Sequence, residues 1–96
     1  MIRSFDDNAT RDVFDGKASK VARSIDKTIW PVIRRKLDAV NAAATLDDLR
    51  SPPGNRLEAL KGDQKGRHSI RVNAQYRITF RFASGDAYEV RCEDYH

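Results

Sequence analysis

The chain switches from helical to strand periodicity near its middle, and that switch constrains the fold more than any other feature. Ile70 and Val72 alternate with Ser69, Arg71 and Asn73, and Tyr76, Ile78, Phe80 and Phe82 alternate with Arg77, Thr79 and Arg81. Alternation at period two marks strands with one buried face. Asn73-Ala74-Gln75 supplies a tight connection between the two runs. Ser84-Gly85-Asp86 makes the next turn, after which Tyr88, Val90 and Cys92 continue the alternation. Leu57 to Lys61 is a further candidate strand, ending at the Gly62-Asp63 turn.

The first half reads differently. Met1-Ile2-Arg3-Ser4-Phe5 alternates and suggests a short opening strand, and Ala9 to Asp15 suits a helical turn ending before Gly16. Ile25, Ile29, Val32, Ile33, Lys36, Leu37 and Val40 fall three and four apart and form one apolar stripe. Pro31 belongs near the start of the continuous helix, because an interior proline removes a hydrogen bond. Thr45 is placed to cap a short second helix through Arg50, with Asp47 and Asp48 in its first turn. Ser51-Pro52-Pro53-Gly54-Asn55 then breaks regular structure. Helices followed by an antiparallel meander imply an α+β fold, with the helices packed on one face of the sheet. The 96 residues are expected to form one domain, 1–96, since shorter pieces could not bury a core.

The formal net charge of +4 is unevenly spread. Residues 50–81 carry Arg50, Arg56, Lys61, Lys65, Arg67, Arg71, Arg77 and Arg81 against Glu58 and Asp63. Residues 82–96 reverse the sign, with Arg91 against Asp86, Glu89, Glu93 and Asp94. A focused basic block points to a polyanion such as nucleic acid. Cys92 is the lone cysteine, so no disulfide framework forms and a reducing, cytoplasmic setting is expected. Its parity with Val90 reads as a small buried hydrophobe. No stretch approaches membrane-spanning length, so no membrane partner is expected.

Arg77, Thr79 and Arg81 share the sheet face opposite Ile78 and Phe80, and Arg71 joins them if the hairpin keeps register. Lys61 leaves its strand on the same side. The chain ends on Glu93-Asp94-Tyr95-His96, three of which (Asp94, Tyr95 and His96) can move protons. Cations beside proton carriers suit phosphodiester cleavage: a base activates a 2′-hydroxyl, cations hold the phosphoryl oxygens, and an acid protonates the leaving 5′-oxygen. His96 can be acid or base near neutrality. Tyr95 can stack on a base or relay a proton. Ideal alternation puts Asp94 and His96 with Val90 and Cys92, so gathering the ending in one cleft needs a twist or bulge near Glu93. His68, in parity with Ile70, reads as a satisfied, partly buried histidine. Two histidines and one cysteine match no zinc pattern, and there is no phosphate-cradling glycine loop or nucleophile elbow, so no metal or cofactor is expected.

These residues resemble the HigB-type toxins, the plasmid maintenance killer family of the RelE/ParE toxin superfamily. The resemblance runs through Met1-Ile2-Arg3-Ser4-Phe5, Leu49-Arg50-Ser51-Pro52-Pro53-Gly54-Asn55-Arg56-Leu57, Leu60-Lys61-Gly62, Ser69-Ile70-Arg71-Val72-Asn73, Tyr76-Arg77-Ile78-Thr79-Phe80 and Glu93-Asp94-Tyr95-His96. It implies a compact RelE-like fold with a curved sheet, and metal-independent, ribosome-dependent cleavage of mRNA in the ribosomal A site. By resemblance, Lys61 and Arg77 bind and stabilise phosphate, while Asp94, Tyr95 and His96 supply proton transfer and base contacts. Arg56, Lys65, Arg67, Arg71, Asn73 and Arg81 are expected to contact RNA or ribosome.

Some relatives place a histidine where this chain has Glu58, which makes Glu58 a candidate base, weak at an ordinary pKa near 4.3. A helix-turn-helix antitoxin of HigA type is the implied partner, and the pair would bind operator DNA. The alternatives are a non-enzymatic toxin of the same fold, like the ParE-type proteins that poison DNA gyrase, and a nucleic-acid-binding regulator. The proton-carrying ending favours the nuclease.

Overall fold

The computed structural model describes residues 1–94. The chain opens with an extended segment, then α1 (Asn8–Asp15) and α2 (Trp30–Ala42). Four strands follow: β1 (Glu58–Ala59), β2 (His68–Arg71), β3 (Tyr76–Ala83) and β4 (Asp86–Asp94). They form an antiparallel sheet in the order β1-β2-β3-β4. Each strand pairs with its sequence neighbour, as short turns dictate.

Local chemistry sets the helix limits. Asp7 caps α1, its Oδ1 accepting from the Thr10 amide at 2.8 Å, and Gly16 closes it in the left-handed conformation at φ 78°. Pro31 sits in the first turn of α2, as its missing N–H requires. Ile25 and Ile29 continue the apolar stripe but precede the helix, Ile25 just after a 3₁₀ turn (Ala22–Ser24) and Ile29 at the end of another (Lys27–Ile29). The segment after Thr45 is also 3₁₀ rather than α, over Leu46–Arg50, and carries a capping box between Thr45 and Asp48. The backbone amides of Thr45 and Ala44, with smaller help from the Thr45 hydroxyl, hold the Asp48 carboxyl below its ordinary pKa.

The helices cover one sheet face. Val13, Ile33, Leu37 and Val40 pack with Ile70, Ile78, Phe80, Ala87 and Val90, all fully buried. The expected α+β layering is therefore what forms. The β2–β3 turn is held by Asn73, whose Oδ1 accepts from the amides of Gln75 and Tyr76 at 2.8 and 2.7 Å. Ser84 and Gly85 both take positive φ (51° and 82°), as a two-residue hairpin loop matched to strand twist needs.

Three strand expectations change. Leu57 to Lys61 shortens to the two residues of β1, because Lys61 already opens a 3₁₀ turn, Gly62–Gln64, with Gly62 at φ 64°. The alternation of Tyr88 with Val90 and Cys92 breaks at a bulge. Thr79 pairs with Arg91 and Arg81 with Tyr88, so both Glu89 and Val90 fall opposite Phe80, with Glu89 at φ 54°. Ala87 thereby turns into the core and Tyr88 out of it. The irregularity thus lies at Glu89, upstream of Glu93.

The opening segment is a parallel partner to the outer edge of β4, bridging Ile2 to Ala87 and Phe5 to Val90. Ser4 Oγ accepts from the Glu89 amide at 2.8 Å, satisfying the donor that the bulge leaves over. An exposed strand edge is an aggregation hazard, and this segment covers it.

Candidate active site

On the face away from the helices, Leu60, Gln64, Ser69, Arg77, Thr79, Glu93 and Asp94 line a cleft of about 200 Å³. Arg77 is its fixed point. Only 7% exposed, it donates from Nη1 to Ser69 Oγ at 2.7 Å and pairs through Nη2 with Glu58 Oε1 at 2.7 Å. A guanidinium pinned at both ends presents its charge in a set geometry, as phosphate recognition requires. Lys61 is exposed and follows directly on Leu60 of the cleft wall, at the start of the turn that contributes Gln64.

The β3–β4 register sets which end of the terminal signature reaches this face. Arg77 lies opposite Glu93 and Tyr76 opposite Asp94. Glu93 therefore shares the face of Arg77, while Asp94 keeps the parity of Cys92. At the strand end Asp94 still lines the cleft, and its Oδ2 accepts from Gln75 Nε2 at 3.2 Å. Burial, then the Asp94 charge, raises the Tyr76 hydroxyl above its ordinary pKa. Tyr95 and His96, the expected proton carriers, lie outside the described residues.

The basic block divides three ways. Arg56, Arg71 and Asn73, with Ala74 and Arg77, line a second pocket of about 210 Å³. Arg77 is common to both pockets, and Arg71 is steadied by donating from Nε to the Asn73 carbonyl at 3.2 Å. Lys65 is exposed beyond the 3₁₀ turn. Arg81 is exposed but paired with Glu89 at 2.7 Å.

Arg67 does not present itself on the surface. It is 5% exposed, and its Nη2 donates to Thr79 Oγ1 at 3.0 Å and to the Glu89 carbonyl at 2.8 Å. Its Nη1 lies 3.9 Å from Asp6 and 3.7 Å from Glu89. Arg91 sits between Glu93 and Asp6. The acids of the opening segment and of β4 thus neutralise part of the local excess of positive charge.

Leu60, Gln64, Ser69, Thr79 and Glu93 are cleft residues that the sequence reading did not select. Parity with Arg77 already places Thr79 on this face, and register adds Ser69 and Glu93, whereas Gln64 arrives on an irregular turn with no such signal. His68 is partly buried as expected and stacks on Phe80 at 6.5 Å, although its buried Nδ1 has no partner among the described residues. Cys92 is buried, and its thiol is pushed up to about 12 by desolvation, with help from nearby carboxylates. Among the described residues no group of three or more His, Cys, Asp and Glu could hold a metal ion, and no helix is long and apolar enough to cross a membrane.

Two helices thus cover one face of a four-strand antiparallel sheet, and a cleft centred on Arg77 opens on the other, a layout shared with solved toxin structures. A YoeB–YefM complex from Staphylococcus aureus contains a chain that superimposes with a TM-score of 0.61 at 14% identity, over 100% of this chain and 98% of its own length. A YoeB/ParE toxin from Agrobacterium tumefaciens gives 0.55 at 18% identity, over 98% and 99%. At sequence level, the model of the HigB-like toxins, described as RelE-like toxins of the type II toxin–antitoxin system HigB, matches residues 3–96. The chain belongs to that family. Endoribonuclease HigB of Proteus vulgaris is 39% identical over 98 residues, covering 100% of both chains. Toxin HigB-1 of Vibrio cholerae serotype O1 is 49% identical over 65 residues, 68% of each.

Proposed function

We propose that this toxin is an endoribonuclease that cuts mRNA in the ribosomal A site, with side chains rather than a metal supplying acid, base and charge. The carrying observation is Arg77, a nearly buried cation held by Ser69 and Glu58 at the floor of a cleft that the end of β4 closes. Support also comes from the full-length relative named Endoribonuclease HigB.

In this mechanism a base removes the proton of the 2′-hydroxyl, and the resulting oxygen attacks the adjacent phosphorus. The P–O bond to the 5′-oxygen breaks, leaving a 2′,3′-cyclic phosphate, and an acid protonates the departing oxygen. Arg77 and Lys61 hold the phosphoryl oxygens as negative charge grows on them, a contribution of the oxyanion-hole kind. His96 is the acid, with Asp94 orienting a proton carrier or acting as base, and Tyr95 stacks on a base. Glu58 touches Arg77 and holds its guanidinium in place, and it remains a candidate base beside a phosphate bound there.

A helix-turn-helix antitoxin neutralises the toxin, and the complex binds its operator, all within the cytoplasm. Primer extension on a defined mRNA, with and without purified ribosomes, tests the reading. Cuts that need ribosomes and fade in folded His96→Ala and Lys61→Ala variants support it. Growth arrest without cuts in any arm moves the target to gyrase or another protein.

A further inference from the structure

The pocket of Arg56, Arg71, Asn73, Ala74 and Arg77 lies outside the roles given to the cleft, yet it shares Arg77 with it. Three of its five lining residues are arginines and none is a carboxylate. Arg77 has Glu58 at ion-pair distance, but among the described residues Arg56 and Arg71 have no such carboxylate, unlike Arg67, Arg81 and Arg91, which each have Asp6, Glu89 or Glu93 there. Arg71 is oriented through Nε alone, and among the described residues its two Nη groups have no hydrogen-bond partner. Arg56 makes no ion pair or hydrogen bond through its side chain among the described residues. It leaves its 3₁₀ turn in the left-handed conformation at φ 46°. Half-buried Arg71, exposed Arg56 and buried Arg77 around a pocket of about 210 Å³ have the composition of an anion site.

We infer that this pocket holds the phosphodiester next to the scissile one on the same RNA strand, with Arg77 as the hinge between the two phosphates. The inference rests on the endoribonuclease reading above. A strand that places its scissile phosphate on Arg77 must send its backbone out along one wall of the cleft. One side is lined by Glu93 and Asp94, which repel a phosphate, and the other opens on Arg56 and Arg71. The backbone therefore leaves past the arginines, and its sugar and reacting 2′-hydroxyl are fixed from both ends. Arg56 and Arg71 are positioning residues here, since neither touches the reacting atoms.

The test is single-turnover cleavage of a defined mRNA on purified ribosomes, with one linkage at a time made a neutral methylphosphonate. For the wild type, neutralising one immediate neighbour of the scissile linkage should raise the toxin concentration for half-maximal rate about tenfold, leaving the plateau rate within about twofold. A linkage three nucleotides away should have no effect. In the folded double variant Arg56→Gln/Arg71→Gln, the half-maximal concentration should start about tenfold higher. The neighbouring methylphosphonate should then add nothing, and the slope of log affinity against log salt should fall by about 0.7, the loss for one phosphate of a single strand no longer neutralised.

Arg71→Lys should recover part of the loss, since the charge returns without the fork. Slower cutting by the double variant, with wild type indifferent to every methylphosphonate, would place these arginines on ribosomal RNA and overturn the subsite. Equal sensitivity of wild type and double variant to the neighbouring methylphosphonate would overturn it too. A wild type that cuts no RNA, with or without ribosomes, would instead remove the endoribonuclease reading beneath it.

Discussion

Arg77 on β3 and Glu58 on β1 form a 2.7 Å ion pair across the sheet, although β2 runs between their strands. Ser69 on that middle strand accepts from the same guanidinium at 2.7 Å. Three strands therefore agree on the position of one charge. If that charge stabilises the transition state, Arg77→Ala should slow cleavage about 10²–10³-fold, the usual loss for one such donor. Stability should also fall, by about 1–3 kcal/mol, because the buried Ser69 hydroxyl loses its partner. Arg77→Lys restores the charge but cannot serve Ser69 and Glu58 at once. It should recover less than a tenth of the lost rate. Single-turnover kinetics and urea unfolding on the same preparations separate the two effects.

Glu58→Gln distinguishes a base from a support. Glutamine keeps an oxygen to accept from Arg77 but cannot take a proton. With the support role alone, the rate falls less than tenfold and the pH–rate profile keeps its shape, which is the outcome expected from the direct ion pair. A loss of about 10² or more with the acidic limb gone would make Glu58 the base instead.

The legible part of this architecture is the part that short-range pattern encodes. Ile70, Ile78 and Phe80 alternate in sequence and are fully buried together, and Pro31, Thr45 and Gly16 stand where helical turns begin or end. The parity of Asp94 with Cys92 follows from the same rule. The bulge at Glu89 does not, since a glutamate at φ 54° carries no glycine or asparagine to announce it. The fate of Arg67 was equally hidden. Its partners, Asp6 and the carbonyl of Glu89, come from opposite ends of the chain, so a window of local charge counts it as surface. Arg56, Arg71 and Arg77 were each legible as cations, but their meeting in one pocket depends on the hairpin register and an irregular loop.

Arg67 should behave as a structural residue. Arg67→Ala leaves the Glu89 carbonyl at the bulge without its donor and opens a cavity beneath Thr79, which should cost about 2–4 kcal/mol in urea unfolding. The salt dependence of RNA binding, measured where the variant is still folded, should stay as in wild type. A slope reduced by about 0.7 would instead return Arg67 to the RNA-contacting set.

Cys92 should be chemically silent in the native state. Burial pushes its thiol up to about 12 from an ordinary 9.0, so the nucleophilic thiolate is scarce at pH 8. A thiol reagent should label it at the rate of global opening, and at once in denaturant. The same shift has a stability consequence. The folded state holds the proton more tightly than the unfolded chain, so this contribution is fully present below pH 9.0 and is lost as pH rises towards 12. Cys92→Ala should flatten that alkaline decline, read as the unfolding midpoint in urea between pH 8 and pH 10.5. An unchanged slope would mean that the thiol meets water in the folded protein.

Thr10 links the first helix to the end of β4. It is fully buried, and its Oγ1 accepts from the Cys92 amide at 2.9 Å, two residues before Asp94. The opening segment satisfies the β4 edge only as far as Val90, whose amide donates to the Ser4 carbonyl at 3.0 Å and whose carbonyl accepts from Asp6. Beyond that point the hydroxyl of Thr10 takes over as acceptor. Thr10→Val keeps the volume and removes the acceptor, so a buried amide is orphaned at a cost of about 1–3 kcal/mol. The freed strand end carries Glu93 and Asp94 away from Arg77, so cleavage should fall about tenfold even where the variant is fully folded. Thr10→Ser keeps the hydroxyl and should restore the rate despite the methyl-sized void it leaves. Faster amide hydrogen exchange at Cys92 and Asp94 in the valine variant, with Ile70 and Ile78 still protected, would locate the loosening at the strand end. Uniform loss of protection would show that Thr10 serves only global stability.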